Sequence, residues 1–281
     1  MRQKSAALGG LAVHVRRRGE VEQKAGVGFH LRGDGIDGIE SPLGRRIHRP
    51  GVLADGDAEL APGKGDGLVV ALFAASDADV VAGFDAATGD ERWRYRIADA
   101  YKGHDGSHDG PISSPLLSAG RVYGLGPKGE LFAVDAGTGK ALWSRNIVTE
   151  HKAEAPWYGF ATSPILVDGV LVVEIGAGAG KTIAGFKTAD GSLLWSAGDD
   201  KISYHSPIAA TIGGRFQVIA SGQKTVYGLD AATGTVLWSH KHDGDEGAMG
   251  GETIIPVPAG EGRFLIDNKG DSAVMLGVTV S

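Results

Sequence analysis

From Leu68 onward, hydrophobic residues fall into short runs rich in Val, Leu, Tyr and Phe, each closed by Gly, Pro, Ser or Asp turn signals. That pattern predicts short antiparallel strands rather than helices. It is clearest between Ser113 and Ile147. Leu116 and Leu117 open a strand after Ser114-Pro115, and Ser118-Ala119-Gly120 turns the chain. Arg121–Leu125 is a second strand, and Gly126-Pro127-Lys128-Gly129 is a hairpin turn. Glu130–Val134 is a third strand, Asp135–Gly139 turns again, and Lys140–Ile147 is a fourth. The same parse fits Ser163-Pro164 to Trp195 and Ser206-Pro207 to Trp238. Residues 66–98 supply only the last three strands of such a unit. Residues 252–278 supply only the first three: Thr253–Val257, Arg263–Asp267 and Ser272–Val278.

One phrase recurs within this pattern. It reads Asp85-Ala-Ala-Thr-Gly89 to Trp93, Asp135-Ala-Gly-Thr-Gly139 to Trp143, Lys187-Thr-Ala-Asp-Gly191 to Trp195, and Asp230-Ala-Ala-Thr-Gly234 to Trp238. A repeat of roughly 45 residues carrying four antiparallel strands is one blade of a β-propeller. The predicted fold is therefore all-β: three full and two partial blades, an incomplete arc of a seven- or eight-bladed ring. The Asp of each phrase bonds backbone N–H groups of its turn, and the Gly takes a positive φ. The Trp turns its apolar face to the next blade and its indole N–H to a carbonyl. Asp85, Gly89, Trp93, Asp135, Gly139, Trp143, Gly191, Trp195, Asp230, Gly234 and Trp238 are thus read as blade-docking residues, without catalytic roles.

Residues 1–65 do not join the pattern and read as a loop-rich or partly disordered segment ahead of the repeats at 66–281. Only Phe29–Ile39 within it looks purposeful. Charge is uneven: residues 1–50 hold ten Lys/Arg against five Asp/Glu, while the whole chain is at −6. That balance excludes a general nucleic-acid surface. No apolar run reaches the roughly 20 residues of a membrane helix. The basic, weakly apolar N-terminus makes no convincing signal peptide. The chain has no Cys, which excludes disulfides and thiolate chemistry.

Four connections precede the first strands of blades and so ring one mouth of the channel. They carry His104, Asp105, His108 and Asp109; Trp157 and Tyr158; Tyr204 and His205; and Glu252. Convergent imidazole, carboxylate and aromatic groups suit a small ligand or a protein partner. Trp157 is the one tryptophan outside the repeated phrase. The paired His-Asp-Gly could ligate a divalent metal or be an ordinary loop, and the loop reading is preferred. His205, beside Ser206-Pro207, reads as a hydrogen-bonded structural histidine before a catalytic one. Gly176–Thr182 imitates a phosphate loop, but position 175 is Ile and no helix follows.

The phrase Ala133-x-Asp135-x-x-Thr138-Gly139-x-x-x-Trp143, with Gly83 and Gly228 for the Ala in two other copies, resembles the quinoprotein-type (pyrroloquinoline-quinone, PQQ-like) β-propeller repeat family. The resemblance covers about Leu68 to Val278. That family includes PQQ-dependent alcohol dehydrogenases and a non-enzymatic outer-membrane-assembly lipoprotein. The resemblance implies, for the enzymes, adjacent cysteines beside the quinone and a Ca²⁺ held by Glu, Asn and Asp. This chain has no Cys and only Asn146, in an outer strand, and Asn268, in a hairpin turn. It therefore looks closer to the cofactor-free members. The expectation is a non-enzymatic binding or scaffolding module, periplasmic or otherwise extracytoplasmic, with no cofactor and no metal. The alternative is a PQQ- and Ca-dependent dehydrogenase or its remnant. An open arc would also leave strand edges and an apolar blade face in water, a route to self-association.

Overall fold

The computed structural model describes residues 28–32, 35–40, 67–104, 107, 109–178, 180–202, 204–212, 214–241, 256–260, 262–268 and 272–278. β1 (Gly28–Arg32) and β2 (Gly35–Glu40) form an antiparallel hairpin, so the passage around Phe29–Ile39 is structured within its segment. The repeats begin with the three-stranded sheet β3 (Leu68–Ala75), β4 (Ala78–Asp85) and β5 (Glu91–Asp99). Three four-stranded sheets follow. They are β6 (Leu116–Ser118), β7 (Arg121–Leu125), β8 (Glu130–Asp135) and β9 (Ala141–Asn146); then β10 (Ile165–Val167), β11 (Val170–Glu174), β12 (Ile183–Lys187) and β13 (Leu193–Ala197); then β14 (Ile208–Ile212), β15 (Arg215–Ser221), β16 (Thr225–Asp230) and β17 (Val236–Lys241). β18 (Val257–Pro258), β19 (Arg263–Asn268) and β20 (Ser272–Gly277) make the last sheet. Every strand pairs antiparallel with its sequence neighbour, which is the meander of a propeller blade.

Several boundaries differ from the sequence reading. The last sheet's first strand starts at Val257 rather than Thr253, and residues 253–255 lie outside the described ones. The outer strand ending at Asn146 gives way to a short helix, α1 (Ile147–His151). Asn146 causes the change: its side chain accepts from Val148 N and Thr149 N, capping the new helix, and Lys152 ends it in a left-handed conformation at φ 63°. Asn268 ends β19 rather than standing in the turn beyond it.

Blades pack face to face, so both faces of the middle strands are apolar and buried. In β8, Leu131 and Ala133 face the third blade's Leu171 and Phe186, while Phe132 and Val134 face the first blade's Leu72 and Val81. The repeated tryptophans sit at these junctions. Trp93 Nε1 donates to the Ala136 carbonyl at 2.7 Å, Trp143 Nε1 to Thr188 O at 2.9 Å, and Trp195 Nε1 to Ala231 O at 3.0 Å. Each acceptor is the residue after the phrase's first position in the next blade. The turn glycine there must lack a Cβ as well as take positive φ. On Gly139 (φ 68°) a Cβ would stand 2.6 Å from Trp93 Cε3, and on Gly191 (φ 69°) 2.6 Å from Trp143 Cε3. Trp238 Nε1 instead donates to Gln217 Oε1 of its own sheet, at 2.9 Å.

The turns are held by their carboxylates. Asp85 Oδ1 accepts from Ala87 N and Thr88 N, and Arg92 holds its carboxyl down at about 2. Asp135 and Asp230 are lowered chiefly by their bonds to Thr138 and Thr233. In the third copy, where Lys187 stands first, Asp190 Oδ1 takes over by accepting from Ser192 N at 2.9 Å.

Among the described residues β3 pairs only with β4, and β20 only with β19, so the end sheets lack an inner and an outer strand respectively. On the face of the first sheet turned away from the second, Phe73, Val80, Ala82 and Phe84 are buried, Phe84 to 1% exposure.

Candidate functional site

The inner strands are tied to one another by serines that open them. Ser114 N donates to Ser163 Oγ and Ser163 N to Ser206 Oγ, both at 2.8 Å, and Ser113 Oγ bonds the Leu125 carbonyl at 2.6 Å. This staircase fixes the starts of β6, β10 and β14, and with them the connections at the channel mouth.

Each connection is folded on itself or on its neighbour. Tyr101 O accepts from Gly110 N at 3.0 Å, and His104 and Ser107 exchange bonds at 2.9 and 3.0 Å. Asp109 closes the loop, taking Gly103 N on Oδ1 and Lys102 Nζ on Oδ2, each at 3.0 Å. Phe160 N reaches the Pro127 carbonyl at 2.9 Å, pinning the next connection to the turn after β7.

Held this way, three connections bring their rings together. His104 meets Trp157 edge-on at 4.9 Å between centroids and stacks on Tyr158 at 5.4 Å and 19°. Tyr101 lies 6.3 Å from His104, and Tyr158 lies 5.8 Å from Tyr204. Tyr204 Oη accepts from Tyr158 N at 3.2 Å, and Tyr101 Oη donates to the Trp157 carbonyl at 3.4 Å. Trp157 stands 57% exposed at the front of this cluster. Burial raises the Tyr101 and Tyr204 hydroxyls, with the neighbouring phenols adding to it, so both stay neutral donors at physiological pH.

Behind Tyr101 lies Asp79 of β4, fully buried. Its Oδ2 accepts from Tyr101 N at 3.0 Å, while Oδ1 has no hydrogen-bond partner. Burial raises its carboxyl from 3.8 to about 6, against the lowering effect of Tyr101 N–H and Lys128; Glu130 and Asp109 push it further up.

The structure thus groups His104, Trp157, Tyr158 and Tyr204, and sets Asp109 to bracing the first loop. His205 does not join them. It is 1% exposed, with Nδ1 3.0 Å from Oε2 of the equally buried Glu174, whose Oε1 accepts from Ser221 N at 3.3 Å. That is the geometry of a structural histidine, out of reach of a docking partner. Asp105, His108 and Glu252 lie outside the described residues. Sequence reasoning missed Tyr101, Asp79 and Glu174. Tyr101 could have been found by taking every aromatic of each connection; Asp79 and Glu174 sit in strands and carry no local signal.

The chain has no Cys, Asn146 spends its side chain on α1, and no group of three or more His, Asp or Glu is arranged to hold a metal among the described residues. At the phosphate-loop look-alike, the Asp199 carboxylate already takes Gly180 N at 2.6 Å, putting negative charge where a phosphate would need donors.

A family model described as outer membrane protein assembly factor BamB matches residues 44–198 and again 76–259. Quinohemoprotein alcohol dehydrogenase ADH IIB of Pseudomonas putida is 33% identical over 132 residues, covering 44% of this chain and 18% of that protein. The chain therefore spans less than a fifth of this curated relative. Among solved structures, BamB from Moraxella catarrhalis aligns with 20% identity and a TM-score of 0.47, over 75% of this chain and 62% of that one. The quinohemoprotein alcohol dehydrogenase from Comamonas testosteroni aligns with 16% identity and a TM-score of 0.46, over 74% and 41%.

Proposed function

The chain belongs to the PQQ-repeat β-propeller family of the outer membrane protein assembly factor BamB, and on that premise we propose that it is a non-enzymatic binding module. Its contact surface is the aromatic mouth formed by Tyr101, His104, Trp157, Tyr158 and Tyr204. One observation carries the reading: a tryptophan 57% exposed on a set of rings that hydrogen bonds and stacking already hold in place. Pre-ordered aromatic side chains lose little entropy on docking and dominate many interfaces. The matched family's name, an outer membrane protein assembly factor, supports a protein partner and an extracytoplasmic location. No helix among the described residues is long and apolar enough to cross a membrane.

A photo-crosslinking amino acid at position 157 tests this. It is expected to capture one predominant protein in cells, whereas the same group at Asp168, on an exposed turn at the opposite end, captures none. Equal labelling from both positions would count against the mouth.

A second reading has one observation behind it, the stretch 33% identical to a quinohemoprotein alcohol dehydrogenase. Titration with PQQ and Ca²⁺, followed by tryptophan fluorescence with an EDTA control, separates the two. The binding-module reading expects no saturable quenching; Ca²⁺-dependent quenching at micromolar PQQ supports the dehydrogenase instead.

A further inference from the structure

The far face of the first sheet is buried, yet no other blade contributes to its cover among the described residues. On that face Ala71 and Phe73 of β3 and Val80, Ala82 and Phe84 of β4 form a cluster whose members all come from these two strands. Phe84 is 1% exposed. The cover stops short of the third strand. By register Ala82 stands opposite Arg94, Val80 opposite Arg96 and Phe84 opposite Glu91, so these three β5 residues share the face. Their side chains are 39, 51 and 34% exposed, and Arg94 lies over the Phe73 ring at 5.4 Å, rimming the patch with charge. A whole blade buries all three strands, as the second blade does on the opposite face, where Leu72, Val81 and Trp93 join one core. The cover on the far face is therefore two strands wide, roughly 10 Å.

One element of the chain has that width. β1 and β2 form a two-stranded hairpin whose register pairs Phe29 with Ile39 and Leu31 with Ile36. Cross-strand partners share a face, and so do alternate positions along a strand, which puts four apolar positions on one side. The other side carries the pairs Gly28 with Glu40, His30 with Gly38 and Arg32 with Gly35, all polar or glycine. A hairpin of five- and six-residue strands is marginal alone in water and needs its apolar side covered. Each of the two faces supplies the apolar surface that the other needs. The 27 residues from Ser41 to Gly67 can span up to about 90 Å, so the hairpin is within reach of the sheet. That tether favours it over a second copy by raising its local concentration. We propose that the β1–β2 hairpin docks its apolar side on β3 and β4, as a cap that closes the first end of the arc. The capped face is then withheld from association with other copies. The inference is independent of the aromatic mouth and its partner.

The test uses the full chain and hydroxyl-radical footprinting read by mass spectrometry. Phe132, buried on the opposite side of the first junction, is the internal reference for intact packing. Two double variants, Phe29→Asp with Ile39→Asp and His30→Asp with Gly38→Asp, each set two aspartates directly opposite one another, the first on the apolar side and the second on the polar side. In the parent, Phe84 is expected to react as slowly as Phe132, before and after dilution alike. The apolar-side variant should raise labelling of Phe84 severalfold and leave Phe132 unchanged, while the polar-side variant changes neither. If the apolar-side variant also exposes Phe132, the milder pair Phe29→Ser with Ile39→Ser repeats the comparison in a folded chain. Phe84 still protected in the apolar-side variant would overturn the proposal, because another part of the chain would then cover the face. Equal exposure in both double variants would overturn it as well, since the side of the hairpin would not matter. Protection lost on diluting the parent would give the face to a second copy instead.

Discussion

Replacing Asp79 by Asn should stabilise this protein at neutral pH, against the usual direction for a buried polar substitution. Asp79 is fully buried, and its carboxyl is raised from 3.8 to about 6 by burial first of all. Between about pH 4 and 6 the native state keeps a proton that the unfolded chain has released. Stability contributed through this group therefore falls as pH rises across that window and is flat above it. At about 1.4 kcal/mol per pH unit, the ionised carboxylate costs the native state up to about 3 kcal/mol at pH 7.5. The amide retains an oxygen for Tyr101 N and removes the charge. It also places an NH₂ where Oδ1 now has no partner, which trims the gain. The expected net is about 1–3 kcal/mol in favour of Asp79→Asn at pH 7.5, smaller by about 2 kcal/mol at pH 4.5. Urea unfolding followed by tryptophan fluorescence, at four pH values between 4.5 and 7.5, measures it. Carboxylates other than Asp79 and its coupled neighbours Glu130 and Asp109 titrate alike in both proteins, so the difference between the two curves reports the Asp79 group. An Asn variant less stable than the parent at pH 7.5, or a difference that does not change with pH, would refute the argument.

Other outcomes follow from the packing. Gly191→Ala should cost more than 1 kcal/mol, because it combines a positive φ with a methyl 2.6 Å from Trp143; most of the steric part should disappear in a Trp143→Ala background, measured by a double-mutant cycle. Trp143→Ala alone should cost about 3–5 kcal/mol, from an emptied blade junction and a bare Thr188 carbonyl, read as a shift of the urea midpoint. Glu174→Ala leaves His205 Nδ1 and Ser221 N without their acceptor in the interior, and a loss of about 2–5 kcal/mol is expected. Trp157→Ala, by contrast, should change stability by less than about 0.5 kcal/mol while weakening partner binding.

Much of the architecture was legible because it is local and repeated. Strand runs, their turns, and the phrase ending in Trp93, Trp143, Trp195 and Trp238 are short-range patterns, and repetition multiplies a weak signal. α1 was less legible: Asn146 reads as one more strand residue until its side chain is seen capping Val148 and Thr149. The loop aromatics were half legible. Trp157 stood out by lying off the repeat, whereas Tyr101, two residues past the end of β5, carried no such mark.

The sequence by itself determined the all-β repeats, their order and the family, because each rests on short patterns that recur along the chain. It also determined that adjacent-cysteine chemistry is absent, a matter of composition alone. Only the tertiary structure decided which of the candidate residues form one surface. Tyr101, His104, Trp157, Tyr158 and Tyr204 meet across up to about a hundred residues of chain because successive blades stack and the serines of the inner strands align their connections. His205 immediately follows Tyr204 in sequence yet turns inward to Glu174. Which side faces the channel and which the core is settled by the neighbouring blade, and that neighbour lies too far along the chain for local pattern to reveal.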